Sequence, residues 1–298
     1  MAVTSARRPG FGALISAMLT ALQWRLLLLW LLIMLIPATV VALPFWRVLA
    51  GLLDHSVHAA AWAQHVDAMM FGDVGFALSE NVDWLGGTAI LGLAITLAMS
   101  PFLDGMIIGS GRAGRTLGFA GLLQCGLVEY GRMFRLMLWS LLPYLAVVGV
   151  ATLGAHLADD HADKAVLQSQ ADLWAHMAHG SLLAAFVLAQ CIVESARAAF
   201  IADTTLRSAT RALGRGINQL LRRFFRTVLF YLLVSAVGFV IAAAAGVGRI
   251  HVTAAGAAGF LTALLLSQLI VVALGWMRIA RLLALASLAR SLRRVRLS

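Results

Sequence analysis

Charge is scarce in this sequence. Only 12% of its 298 residues are Asp, Glu, Lys or Arg, and 61% are hydrophobic, where ordinary soluble domains carry about 25% charged residues. A soluble fold of this length could not hide so much apolar surface behind so few charges; a bilayer removes the need. Cysteine is scarcer still. Cys125 and Cys191 are the only two, and both fall in or beside apolar stretches, so they build neither a disulfide framework nor a CxxC site. Lysine is nearly absent: Lys164 stands alone against 22 arginines, and the net charge is +10. A basic balance can signal nucleic acid, but these arginines are interleaved with membrane-length apolar runs. The expected partner is therefore a bilayer with anionic head groups, not nucleic acid. No P-loop, GxSxG or HExxH occurs, so an ordinary enzyme is disfavoured and no cofactor is expected.

Long apolar runs are what the chain has. A spanning helix needs about 20 mostly apolar residues, and runs free of Asp, Glu, Lys and Arg cover 26–46, 84–103, 136–158, 227–248 and 250–277. A further run, 180–193, is too short unless it continues through Glu194 and Arg197. These two are spaced i, i+3 and can pair on one helix face, which lowers the cost of burying them. Loop charge argues for this crossing. Segments 47–83 and 157–179 hold nine of the thirteen acidic residues, with only Arg47 and Lys164 as bases. The N-terminal segment, 109–135, 197–226 and the tail hold 20 of the 23 Lys and Arg. Without a span between Asp172 and Arg207 an acidic and a basic loop would share a compartment, against the positive-inside bias. The expected fold class is all-α integral membrane, one polytopic domain over 1–298. Spans are expected at about 26–46, 84–106, 136–157, 180–201, 227–248 and 252–277. Both termini are expected in the cytoplasm of a bacterial inner membrane, and Arg7 and Arg8 lead into a retained first span rather than a cleaved signal.

Between the spans the sequence reads as surface helices, at about 11–24, 115–134 and 204–225. In 203–226, Arg207, Arg211, Arg215, Arg222 and Arg226 fall within about 100° of a helical wheel. Leu206, Leu213, Ile217, Leu220 and Phe224 take the opposite stripe. Such a helix lies in the head-group layer or docks on the bundle. Its pattern recurs: 122–150 lies over 213–241 at an offset of 91, placing Arg132 and Arg135 over Arg223 and Arg226. Asp104 and Glu194 lie 90 apart, each near the end of the preceding span. Near the N-terminus, Phe11, Leu14, Ile15, Met18 and Leu22 form a third apolar stripe before Arg25. These patterns imply parallel repeats of span, surface helix, span, with spans six and one completing a third, circularly split unit.

Three constellations could carry function. Asp104, Glu194 and Arg197 form a candidate intramembrane polar site, because ionisable groups at such depth are costly and often mark ion or substrate paths. The alternative is helix-end charges that reach water or lock neighbouring spans together. Arg112, Arg115, Arg132, Arg135, Arg207, Arg211, Arg215, Arg222 and Arg226 are candidate lipid head-group contacts. All eight histidines fall on the opposite side, and His55, His58, His65, His176 and His179 are candidate ligands for a transition metal. The competing reading of the histidines is polar residues gathered where loops meet water. The string Gly109–Gly114 formally matches GxGxxG, but it follows a span instead of a strand, so it reads as close packing or a bend.

The segments GRMFRLMLW (131–139), RRFFRTVLF (222–230) and ESARAAFIAD (194–203) resemble bacterial multi-span membrane families such as the membrane domain attached to some glycerophosphodiester phosphodiesterases. No phosphodiesterase catalytic domain accompanies them, so the resemblance implies a membrane fold and no activity. Function then reads as a permease-like or membrane-complex component in envelope or lipid traffic. The alternatives are a membrane enzyme with an outer-face His/Asp metal, or a structural scaffold that organises lipids or partner subunits.

Overall fold

The computed structural model describes residues 11–54, 56–58, 62, 68–164, 167–252 and 256–297, with only the backbone of Ala171 and of 293–297. Among these residues every regular element is a helix: α1 Phe11–Thr20, α2 Trp24–Leu53, α3 Ala68–Glu80, α4 Val82–Ala113, α5 Phe119–Trp139, α6 Leu141–Ala162, α7 Gln168–Ala202, α8 Ala209–Arg222, α9 Phe224–His251 and α10 Gly256–Leu297. Six stretches are long and apolar enough to cross a membrane, namely α2, α4, the α5–α6 run, α7, α9 and α10. The chain is thus a multi-pass α-helical membrane protein. The doubtful fourth crossing is one 35-residue helix, α7, which runs through Glu194 and Arg197 without a break. Several helices outrun the apolar lengths that announced them. Helix α2 passes Pro37 and Pro44 to reach Leu53, and α10 extends 42 residues, well beyond Met277. Helix α3, in the acidic segment between the first two spans, has no counterpart in the expected element list.

Three long helices, α4, α7 and α10, form the centre. Leu103 and Met106 of α4, Val193 and Phe200 of α7, and Ile279 and Leu282 of α10 are all at most 1% exposed. Each such side chain contributes roughly 1.5–3 kcal/mol by leaving water. Each central helix is flanked by one short helix and one long one. Helices α1 and α9 pack on α10, α5 and α2 on α4, and α8 and α6 on α7. The dense core lies where the short helices wrap the C-terminal halves of the central ones, a region called the basic end below. Elsewhere the spans are loosely covered: α6 has no buried residue, and its Leu141, Leu145, Val148 and Leu153 are exposed. An apolar helix so bare is stable only in lipid.

The repeat is visible in the register of packing. Helices α5 and α8 begin 90 residues apart, at Phe119 and Ala209. Their glycines Gly126 and Gly216, also 90 apart, sit where each short helix crosses a central one. A methyl group at Gly126 would meet the Phe102 ring at 2.7 Å, and one at Gly216 the Ile192 carbonyl oxygen at 2.5 Å; Phe102 and Ile192 again differ by 90. The offset of 91 read across 122–150 therefore needs correction: it holds only beyond the end of α8. There Arg223 breaks the helix (φ −138°, ψ 45°), and the buried pairs become Leu136/Thr227 and Ser140/Tyr231. The α5–α6 junction is gentler. Ser140 keeps helical dihedrals (φ −68°, ψ −15°), and the interruption follows from Pro143, which has no N–H to offer the Trp139 carbonyl. Helix α1 docks on α10, and its Met18 carbonyl accepts from Trp276 Nε1 at 3.1 Å.

Candidate functional site

Asp104, Glu194 and Arg197 lie where the three central helices meet. The depths match. Asp104 and Arg278 each fall 22 residues beyond the start of their helix, at Val82 and Gly256, or about 33 Å at 1.5 Å per residue. That is one hydrocarbon thickness of about 30 Å, so the cluster sits at the border between the lipid-covered spans and the dense basic end. Asp104, 2% exposed, receives two arginines. Arg278 reaches it as a fork, Nε to Oδ1 at 3.0 Å and Nη2 to Oδ2 at 2.9 Å, and Arg197 Nε lies 3.0 Å from Oδ2. Arg278 also donates to Ser100 Oγ at 3.3 Å and lies over the Trp30 ring of α2, 5.6 Å from its centre. Glu194, equally buried, takes Arg281 Nη2 on Oε1 at 2.8 Å. Arg281 further donates to Ser235 Oγ at 3.1 Å and Tyr231 Oη at 3.4 Å, and stacks over the Tyr231 ring at 4.9 Å.

The intrahelical Glu194–Arg197 pair expected from their spacing is thereby corrected. Both residues pair across helices instead, because a side chain on a packed helix face meets a neighbouring helix as readily as its own next turn. The sequence reading also missed Arg278 and Arg281, which it grouped with the basic tail. A signal was there: the two are spaced i, i+3 and followed by LLALASLA, an apolar run with no helix breaker. Three guanidinium groups face two carboxylates in this cluster, so it carries one surplus positive charge. Two of its buried polar atoms, Glu194 Oε2 and Arg281 Nε, have no hydrogen-bond partner.

An apolar groove leads toward this cluster. Its volume is about 420 Å³, and it is bounded by α2, α4 and α10 through residues such as Met34, Val41, Leu93, Thr96 and Gln268. Thr96, Ser100 and Asp104 are spaced four apart and share one face of α4, so the groove face continues into the charge cluster. Gln268 Oε1, buried and without a partner, is a polar atom in the groove wall.

Toward the basic end a second set of ion pairs fastens the short helices. Arg112 bridges from α4 to Glu129 of α5 at 2.6 Å and to the Phe200 carbonyl of α7 at 2.8 Å. Arg132 joins the same carboxylate at 2.9 Å. Arg215 of α8 holds Asp203, just beyond α7, at 2.7 Å. Among the candidate head-group residues Arg112 is thus committed to protein partners, whereas Arg115, Arg135, Arg207, Arg211, Arg222 and Arg226 are exposed. The apolar stripe of α8 docks: Leu206, Leu213 and Leu220 are buried, and Ile217 and Phe224 are left outside. The GxGxxG string is helical up to Ala113, and Gly114 ends α4 in the left-handed region (φ 62°), the conformation glycine adopts at no steric cost.

The histidines do not converge among the described residues, where no group of three or more His, Cys, Asp or Glu could hold a metal ion. His55 and His65 lie outside the described residues. His58 is exposed beside Trp62. His176 and His179 each engage a carbonyl of their own helix through Nδ1, at 2.6 Å from Asp172 O and Ala175 O. No family model matches the chain, and neither the curated proteins nor the solved structures contain a match.

Proposed function

We propose that this protein is a permease-like component of lipid traffic that handles an anionic amphiphile, with the anionic head at the Asp104–Glu194–Arg197–Arg278–Arg281 cluster and the apolar part in the adjoining groove. The observation that carries the reading is the surplus arginine buried between helices at the border of the hydrocarbon layer. A buried charge excess is costly, and an anion seated beside the free Arg281 Nε would remove it. The groove supplies the complementary apolar surface on the same face of α4. In this reading the arginine-rich end faces the cytoplasm of an inner membrane, following the positive-inside bias. The exposed Arg115, Arg135, Arg207, Arg211, Arg222 and Arg226 meet anionic head groups.

A structural lock is the competing reading, and the double occupancy of Asp104 favours it. Reconstitution separates the two. Vesicles carrying fluorescent phosphatidylglycerol in both leaflets are treated with a membrane-impermeant quencher. Wild-type protein should let the quencher remove far more than the outer half of the signal, and Glu194→Gln/Arg281→Gln should slow this at least tenfold. Absence of exchange with wild type overturns the transport reading. Unchanged exchange in the double variant leaves the cluster as a lock only.

A further inference from the structure

A second polar cavity lies at the basic end, away from the central cluster. Its volume is about 570 Å³, and it is enclosed by α1, the start of α2, the end of α4 and the inner part of α10. Arg115 and Arg290 both line it, together with Gln23, Ser110, Thr116 and Ser287, and no Asp or Glu does. Arg290 is nine residues beyond Arg281, about 14 Å along α10, so this cavity is distinct from the groove and cluster already described.

Its two arginines differ in how they are held. Arg290, though exposed, donates from Nη2 to the Gly111 carbonyl at 3.3 Å, which also answers the negative end of α4. Arg115 makes no ion pair with any described residue. Ser110 is held in the wall by donating to Gln23 Oε1 at 2.6 Å. Helix α2 begins here without a side-chain cap, so its first amides add positive potential to the same wall. The rim is apolar: Leu19 and Leu22 line the cavity and are 64% and 60% exposed.

We propose that this cavity is a binding site for a phosphate ester, clamped between Arg115 and Arg290 with Thr116 as a neutral donor, while the Ser287 hydroxyl, which donates to the Ala284 carbonyl at 2.6 Å, lines the wall. Two guanidinium groups without a carboxylate suit a phosphate, which accepts forked hydrogen bonds from each. The exposed leucines at the rim favour an ester whose remainder is an acyl chain, as in an anionic phospholipid, over a small soluble phosphate. Binding here requires no transport and stands whether or not the central cluster moves a lipid.

The test is native mass spectrometry of the detergent-purified protein titrated with phosphatidylglycerol or phosphatidylcholine, repeated with glycerol 3-phosphate as competitor. Wild type should retain one phosphatidylglycerol in preference to phosphatidylcholine. Arg115→Gln or Arg290→Gln should weaken it at least about tenfold each, through loss of that guanidinium's charge-assisted hydrogen bonds. Ser287→Leu should block the cavity with both charges kept, and Lys164→Gln, an equal loss of charge elsewhere, should change nothing. Competition by glycerol 3-phosphate would assign the site to a soluble phosphate ester, and its failure to compete to the lipid. Thermal unfolding of each variant verifies the fold. Equal retention of the two lipids together with no binding of glycerol 3-phosphate, or unchanged binding in Arg115→Gln/Arg290→Gln, overturns the proposal.

Discussion

Asp104 holds two arginines from two different helices, and removing it has a cost that follows from burial. Asp104→Ala leaves Arg197 and Arg278 as uncompensated cations at 12% and 24% side-chain exposure. Breaking such a buried pair costs about 3–5 kcal/mol. The variant should unfold in detergent at a clearly lower denaturant concentration than wild type, and Arg197→Gln at an intermediate one, since Arg278 still satisfies the carboxylate. Equal effects of the two substitutions would show that Arg278 contributes nothing. Gly216→Val tests a different kind of residue. Its Cβ would meet the Ile192 carbonyl oxygen at 2.5 Å and Ala196 N at 2.9 Å, so α8 must lift from α7. Overpacking of this kind costs about 1–3 kcal/mol, and Gly214→Val, which has open space, gives the baseline for β-branching within a helix. The acids of the cluster were legible in the sequence because a lone Asp or Glu beside an apolar run is conspicuous. Their partners were not. Arg278 lies 174 residues from Asp104, a separation no local spacing encodes, and it sat beside the bases at Arg290, Arg293, Arg294 and Arg296 that mark a tail.

Five of the six crossings were legible as elements because a lipid-facing helix must be apolar along its whole length. Their ends were not, because a helix that leaves the bilayer stays helical while its composition turns amphipathic. Helix α7 illustrates this: it begins at Gln168, twelve residues before its apolar run. The same helix carries the least direct evidence for a crossing, and its direction is testable. In a Cys125→Ser/Cys191→Ala background, single cysteines at Asp163 and Arg211, both exposed, should react with an impermeant maleimide from opposite sides of sealed vesicles. Labelling of both from one side would remove α7 as a span. Helix α3 escaped notice because its sequence, AMMFGDVGFALSE, has neither the length of a span nor the arginine stripe of the other short helices.

For the molecule as a whole, the densest packing lies at the basic end, while the spans themselves are thinly covered. Stability should therefore depend on what the basic end touches. In nanodiscs of phosphatidylglycerol the melting temperature should exceed that in phosphatidylcholine. The difference should shrink as ionic strength rises and the Debye length falls from about 10 Å at 0.1 M to 3 Å at 1 M. A salt-insensitive difference would place the lipid effect on acyl packing instead of the exposed arginines. This end coheres because each of the three central helices is wrapped there by a short one. Sequence comparison at a single offset blurred this arrangement, because the irregular residue at Arg223 shifts the register partway through the unit.

The ion pairs of the centre also impose an order on synthesis. Asp104 is made 93 residues before Arg197 and 174 before Arg278, while Glu194 precedes Arg281 by 87. At about 5–20 residues per second, Asp104 waits roughly 10–35 s for the arginine fork that completes its neutralisation. During that interval α4 and α7 reside in the insertion machinery or the bilayer with carboxylates whose final partners do not yet exist. Of the six spans α10 is thus made latest and completes the cluster, and a chain interrupted after Met277 would hold all six apolar runs yet leave Glu194 without its counter-ion.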